Sequence, residues 1–376
     1  MIVVIADDIT GAAELGGIGL RYGLRVRIAS DVEITREVDL LVIYTNARSM
    51  KKEEAVALMQ NLTRKAKALN PSLFYKKTDS VLRGHVLSEM QAQMRVLGIE
   101  KGLLVPVNPL LGRTIKGGHY YVNKQLVHET NFSADPEFPI RSSRIEDMLG
   151  ETNTQVKVIV QDEPLPEGIA VGEAVTMDDV KHWAQKANAT IFYAGGASFF
   201  DALLQTIYEP LNVQKEKRFE LASPLLFVSG TTFQKNRAKI QHLSLLVCYM
   251  PDAVYKHSSP SANEYDNWCG EIVLRLKAEG KAIVAIGERG EKAEAADLRE
   301  KMSEVVSLVF QKTPVHELLI EGGSTAFGVI QKLGLQSFTP TEELAQGVVQ
   351  MKANDKDNLH LTIKPGSYEW PVEWNF

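Results

Sequence analysis

Short runs of β-branched residues, each followed by a helix-patterned stretch, constrain this chain most. The first starts at the second residue. Ile2-Val3-Val4 is uninterrupted apolar sequence, the mark of a parallel strand covered on both faces. Arg25–Ala29, Leu40–Tyr44, Leu73–Lys76 and Gly102–Val107 read as further strands. Within Lys51–Leu69, Ala55, Met59, Leu62, Ala66 and Leu69 recur at three- and four-residue spacing. That spacing predicts an amphipathic helix, and Pro71 supplies its stop. The alternation argues for an α/β fold on a mainly parallel, doubly wound sheet.

The middle of the chain differs. Tyr120–Val122 and Gln125–Val127 flank Asn123-Lys124 and predict a hairpin or a tight turn. Alternation resumes at Val156–Val160, with a helix from Met177 to Ala187 and a strand at Thr190–Ala194. Leu211–Pro224 is charged and reads as a linker. A second α/β pattern follows, with strands expected at Leu225–Val228, Leu245–Cys248, Ala282–Ile286, Glu317–Ile320 and Leu359–Ile363. A chain of 376 residues exceeds one ordinary core. Two domains are therefore expected, 1–218 and 222–376, each a mainly parallel sheet flanked by helices.

Bulk properties exclude several classes. Hydrophobic content of 44% and charged content of 24% suit a globular protein, and a net charge of −5 leaves no basic footprint for nucleic acid. No apolar run reaches the ~20 residues that span a bilayer, and no signal-peptide pattern opens the chain, so a cytoplasmic location without a membrane partner is expected. Cys248 and Cys269 lack the companions of a zinc site and read as reduced structural residues.

Polar residues gather where strands end. Asp7 and Asp8 follow the first strand, with Thr10 and Gly11 behind them. In open α/β sheets ligands bind beyond the carboxyl ends of strands. Asp8 or Thr10 could cap the next helix, which accounts for one residue but not for two adjacent acids. A second strand end opens into Lys76-Lys77-Thr78-Asp79-Ser80-Val81-Leu82-Arg83-Gly84-His85, with cations for an anion and hydroxyls for a sugar. Among the scattered histidines only His85 sits in such a place. A third strand end, Tyr44–Ser49, offers Arg48.

The second half carries strand–glycine–helix turns. Leu318–Ile320 leads into Glu321-Gly322-Gly323-Ser324-Thr325, and Val228 into Ser229-Gly230-Thr231-Thr232. Glycines admit a ligand close to the backbone, and a helix start suits phosphate. Lys364-Pro365-Gly366 adds a lysine beside a glycine. Together these read as a phosphate cradle. There is no Walker A loop and no dinucleotide fingerprint after the first strand, and Gly16, Gly17 and Gly19 read as packing residues of a helix.

These motifs resemble those of the four-carbon acid sugar kinases. The resemblance rests on Ala6-Asp7-Asp8-Ile9-Thr10-Gly11-Ala12 and Lys77-Thr78-Asp79-Ser80-Val81-Leu82-Arg83-Gly84. Looser matches are Ala47-Arg48, Gly112-Arg113, His119-Tyr120, Asp135-Pro136, Ser229-Gly230-Thr231, Gly322-Gly323-Ser324-Thr325-Ala326 and Lys364-Pro365-Gly366. The family implies an N-terminal acid-sugar domain, a C-terminal ATP domain, an active site in the cleft between them, and magnesium with the ATP. The substrate implied is D-threonate, D-erythronate or a 3-oxo-tetronate, phosphorylated on a hydroxyl, the terminal one by preference.

On this basis Asp7, Asp8 and Asp79 are the expected catalytic acids, with Asp7 or Asp8 preferred as the base. Thr10, Arg48, Lys77, Ser80 and Arg83 are expected at the sugar acid. Ser229, Gly230, Thr231, Gly322, Gly323, Ser324, Thr325, Lys364 and Gly366 are expected at the nucleotide. Metal ligands and oligomeric state stay open. Ser324 stands where the family has an acid, which keeps a second reading: a non-catalytic sugar-acid sensor with a degraded nucleotide site.

Overall fold

A computed structural model describes the chain except residues 33–36, 136, 151–155, 212–220, 231–239, 241, 289–292, 367 and 372–376. The chain divides into two compact units, Met1–Val213 and Gln214–Phe376. Most of the expected linker lies outside the described residues, as do Thr231, Thr232, Pro136 and Ser367.

The strands of the first unit are β1 (Ile2–Ala6), β2 (Val26–Ala29), β3 (Leu40–Tyr44), β4 (Leu73–Lys77), β5 (Lys101–Val105), β6 (Arg113–Lys116), β7 (His119–Val122), β8 (Gln125–Leu126), β9 (Val156–Ile159), β10 (Gly168–Gly172) and β11 (Ile191–Gly195). Its main sheet runs β2-β3-β1-β4-β11-β5-β10-β9 and is parallel throughout. β1 is buried along its whole length, as its unbroken apolar run requires.

Helix α1 (Ile9–Arg21) packs closely because its glycines leave room. A Cβ on Gly19 would come within 2.6 Å of Leu40 and 2.8 Å of Val26. Helix α2 (Lys52–Lys67) buries Ala55, Met59, Leu62 and Ala66 at the expected spacing, and these join Val3, Ile5, Leu41 and Ile43 in one core. Helix α3 (Val86–Leu97) stops at Gly98 in the left-handed conformation. Three shorter helices complete the unit: α4 (Ile145–Met148), α5 (Met177–Gln185) and α6 (Ala197–Gln205).

The predicted hairpin is β7–β8, part of a small antiparallel sheet with β6. Asn123 and Lys124 both take positive φ, 50° and 68°, as a two-residue hairpin loop demands.

The second unit holds β12 (Leu225–Ser229), β13 (Val247–Tyr249), β14 (Lys281–Ala285), β15 (Glu317–Glu321), β16 (Ser337–Ala345), β17 (Val348–Ala353) and β18 (His360–Lys364). They order as β13-β14-β12-β15-β18-β17-β16, with the β16/β17 and β17/β18 pairs antiparallel and the rest parallel. Helices α7 (Asp252–Lys256), α8 (Ala262–Glu279), α9 (Ala295–Lys312) and α10 (Gly323–Lys332) accompany them. Leu225, Phe227, Val247, Ile283 and Leu319 form part of a core separate from that of the first unit. Both cysteines are free and buried. Among the described residues no helix is long and apolar enough to cross a membrane.

Candidate active site

Asp7 directly follows β1, and Asp8 caps α1. The Asp8 Oδ1 accepts the Gly11 amide at 2.7 Å, and its Oδ2 accepts the Thr10 hydroxyl at 2.8 Å. The capping role is therefore real, and of the two candidates it belongs to Asp8 and not to Thr10. Arg48 sits in the short helical turn after β3. Its Nε and Nη2 donate to Asp7 Oδ2 at 2.9 and 2.8 Å. The same guanidinium lies 3.1 Å from Asp8 and 3.6 Å from Asp79. One buried cation thus joins acids that follow β1 and β4.

Asp79 is held by Arg83 as a fork. Arg83 Nε and Nη2 donate to its two oxygens at 2.9 and 2.8 Å, and the amides of Val81 and Arg83 add bonds at 3.2 and 3.1 Å. The third arm, Arg83 Nη1, reaches Asp135 at 2.7 Å. The loop needs left-handed backbone at Leu82 (φ 62°) and Gly84 (φ 88°). A Cβ on Gly84 would lie 3.0 Å from the Arg48 side chain and 3.3 Å from its Cα, so glycine lets the loop lie against Arg48.

The charges set the protonation. Burial raises the Asp8 carboxyl, but Arg48 and Lys77, aided by the two cap bonds, outweigh it and hold it below the ordinary carboxylate value. Asp79 feels the same opposition, burial against Arg83 and Arg48, and falls far lower. Burial works against the charge on Arg48, yet Asp7, Asp8 and Asp79 carry it well above its usual value. Asp8, Asp79 and Arg48 are therefore charged at neutral pH.

Lys77 donates to its neighbour Thr78 at 3.0 Å and lies 3.8 Å from Glu14 of α1. Lys76 is 2.6 Å from Glu89 of α3, both side chains almost wholly buried. Burial pushes the Glu89 carboxyl up, with Lys76 opposing. His85 precedes α3, its Nε2 2.8 Å from the Met50 carbonyl.

Three neighbours complete this edge. Arg113, on β6, donates to the Ser80 hydroxyl. The Phe132 ring lies beneath two guanidiniums, those of Arg83 and Arg113, each 5.6 Å from its centroid. Asp135 closes the set. Sequence reasoning reached Arg113 and Asp135 only through the family resemblance and missed Phe132. The one signal was an aromatic residue within the Pro- and Asp-containing stretch Asn131–Pro139.

In the second unit the ends of β12, β15 and β18 lie side by side. The Ser229 hydroxyl donates to Glu321 at 3.1 Å, and the Gly230 amide reaches the Glu321 carbonyl at 3.3 Å. Gly322 caps α10 at φ 103°, with its amide 3.0 Å from the Lys364 carbonyl. Thr325 is buried against Gly230, where a Cβ would lie 1.9 Å from its hydroxyl. Gly323 opens α10, and Ser324 is exposed on its first turn. Gly366 follows β18, and Thr231 lies outside the described residues.

Lys364 departs from its expected place as an open cation. Its ammonium is buried, 2.7 Å from Glu321, and donates to the carbonyls of Pro365 and Tyr368 at 2.9 and 2.7 Å. Among the described residues no three His, Cys, Asp or Glu side chains gather so as to hold a metal ion.

Residues 2–203 match the family described as a sugar-binding N-terminal domain, and residues 226–368 the family described as a nucleotide-binding C-terminal domain. The chain is 27% identical to the D-threonate kinase of Salmonella typhimurium, covering 97% of this chain and 95% of that protein. It is 25% identical to the 3-oxo-tetronate kinase of Brucella melitensis (97% and 92% covered) and 25% identical to the D-erythronate kinase of Heliobacterium modesticaldum (73% and 68%). Two solved structures share the fold. A Salmonella typhimurium protein designated a tRNA synthase superposes with TM-score 0.81 at 19% identity, covering 98% of this chain and 96% of that one. Haemophilus influenzae protein HI1011 superposes with TM-score 0.71 at 18% identity, covering 98% and 97%.

Proposed function

We propose that this chain, which belongs to the family joining a sugar-binding N-terminal domain to a nucleotide-binding C-terminal domain, is an ATP-dependent kinase of a four-carbon sugar acid. The observation that carries this reading is end-to-end similarity to relatives named for that activity on D-threonate and 3-oxo-tetronate, with D-erythronate named for a third. The geometry supports a division of labour among the acids.

Asp79 is occupied on both oxygens by Arg83, and Asp8 caps a helix. Asp7 has one oxygen on Arg48, while its Oδ1 is buried without a hydrogen-bond partner. Asp7 is therefore the group to take the proton of the attacking hydroxyl, with Arg48 fixing its orientation. Lys77 and the positive charge of Arg83, whose fork is already engaged by Asp79 and Asp135, draw the substrate carboxylate, and Thr10 and Ser80 line its path. Arg48 acts on Asp7 and not directly on the substrate.

The γ-phosphoryl of ATP passes to the activated hydroxyl, the 4-hydroxyl by preference. Positioning and charge stabilisation carry most of such a transfer. The backbone at Gly230, Gly322 and Gly323, with Ser229, Ser324 and Thr325, cradles the nucleotide phosphates, Gly366 extending the contact. Lys364 supports the cradle through Glu321. Magnesium would enter on the triphosphate and be held chiefly by phosphate and water, which suits a chain with no three-residue cluster of metal-binding side chains among its described residues. It would supply charge neutralisation for the leaving phosphate.

ATP consumption with D-threonate, D-erythronate and 3-oxo-tetronates tests the reading, and phosphorus–proton coupling in the product identifies the hydroxyl. Tight acid binding without ATP consumption would instead make the protein a sensor.

A further inference from the structure

Three buried side-chain atoms that lack any hydrogen-bond partner lie on residues that follow the ends of β1, β4 and β5: Asp7 Oδ1, Thr78 Oγ1 and Asn108 Oδ1. Their residues are only 3%, 1% and 2% exposed. Buried polar atoms are nearly always paired, because leaving one unpaired is costly. Of the other such atoms in this unit, those of Lys76 and Glu89 lie against each other in an ion pair, that of Glu163 lies near Lys157, that of Arg27 is on β2, and those of Gln93 and His182 belong to helices α3 and α5. These three belong to one edge.

The backbone laces that edge together. The Asp7 amide reaches the Lys77 carbonyl at 3.4 Å, the Thr78 amide the Gly195 carbonyl at 3.0 Å, and the Gly196 amide the Val105 carbonyl at 3.1 Å. Between Thr78 and the chain leaving β5 stand only two glycines. A Cβ on Gly195 would lie 2.1 Å from the Val105 carbonyl, and one on Gly196 2.9 Å from that of Pro106. β11 thus gives backbone alone at its end, and the side chains come from Thr78 and Asn108. Asn108 pairs its backbone both ways with Arg113, at 2.9 and 3.0 Å. Arg113 in turn donates to Ser80, two residues after Thr78.

We propose that Asp7 Oδ1, Thr78 Oγ1 and Asn108 Oδ1 together recognise the hydroxyls of the sugar acid, with Asp7 at the reacting hydroxyl and Thr78 and Asn108 at the others. The proposal rests on the kinase reading and deepens it. Two of the three atoms only accept, and the third can accept or donate, so the matching ligand is a chain of hydroxyl donors. A short acid without those hydroxyls would seal the site while leaving the atoms unpaired. A site built to bond a hydroxyl rejects the analogue lacking it for that reason. Thr78 and Asn108 are thereby the residues that set which four-carbon acid is accepted.

The test uses Thr78→Val and Asn108→Ala in the full chain. Calorimetric titration without ATP compares D-threonate and D-erythronate with 3,4-dihydroxybutanoate and 2,4-dihydroxybutanoate, which lack the 2- and 3-hydroxyl. The parent should prefer its better tetronate over at least one of the deoxy acids by ~10-fold. Each variant should lose its part of that preference, binding the tetronate no better than the corresponding deoxy acid. Its ligand-free melting temperature should stay level or rise, since no bond inside the protein is lost. Variants that keep the parent's discrimination, or that lose it only with a clear fall in melting temperature, overturn the proposal. A parent that binds neither tetronate overturns this inference, whereas the kinase reading falls only if no tetronate and no 3-oxo-tetronate supports ATP consumption.

Discussion

Asp7 and Asp8 are adjacent in sequence and opposite in employment, and substitution should separate them. Asp7→Asn keeps the volume and removes the base; we expect turnover to fall ~10²–10⁴-fold with the protein folded. Asp8→Asn retains a good N-cap but loses the charge held by Arg48 and Lys77, so it should lose stability at neutral pH, and Asp8→Ala, which loses the cap as well, should cost about 1 kcal/mol more. Near-normal turnover in Asp7→Asn at saturating substrate would remove Asp7 as the base. Arg83→Lys keeps the charge and loses the fork that fixes Asp79 and the sugar-acid loop, so sugar-acid affinity should fall by ~1–3 kcal/mol with ATP affinity unchanged; equal weakening of both would place Arg83 on the phosphate path. The depressed carboxyls also fix the acid response. Asp8 and Asp79 bind protons more tightly unfolded, near the ordinary value of about 4, than folded. Their contribution is complete above that value and is lost as pH falls below it. Urea midpoints should be level from neutral pH to about 5 and drop below about 4, less steeply in Asp79→Ala; an equal drop in that variant would assign the acid response elsewhere. At this scale the sequence displayed residue types but not partners. Arg48 looked like a carboxylate ligand because its acids lie 41 positions upstream and 31 downstream, and only the sheet brings them together.

Elements were easier to read where burial was complete. β3 matches its predicted span end to end, because a strand buried on both faces is apolar throughout. β16 was hidden: Pro340 interrupts it, Glu342-Glu343 look like loop, and its register shifts between Pro340 and Glu342. β10 escaped notice as five residues bounded by glycines. Lys76 shows what periodicity cannot convey, a fully buried charge at the end of an otherwise regular strand. It joins β4 to α3 through Glu89, so Lys76→Met or Glu89→Leu alone should destabilise the protein by ~3–5 kcal/mol by stranding the other charge. The two changes together should recover most of that loss in urea unfolding. A double variant as unstable as the singles would mean that the pair is held by more than its mutual charge.

Each unit of the molecule has a core of its own. A chain ending at Val213 should therefore unfold cooperatively on its own and bind the sugar acid within a few fold of the parent, with no ATP turnover. Aggregation of that fragment, or loss of acid binding, would show that the unit depends on the second half.

The strand order of that unit carries a further consequence, for the time at which it can form. β4 and β5 follow each other in the chain but are not neighbours in the sheet; β11, the last strand of the unit, lies between them. Every strand from β1 to β10 is thus synthesised before the piece that unites the two halves of the sheet. Until then β4 and β5 each present an unpaired edge, open to pairing with the wrong strand or with another molecule. The candidate site's edge, which needs β1, β4 and the Gly195-Gly196 turn together, is among the last features of the unit to exist. Folding should accordingly be slow, limited by the arrival of residues 191–195, and most dependent on chaperones while the chain is one strand short.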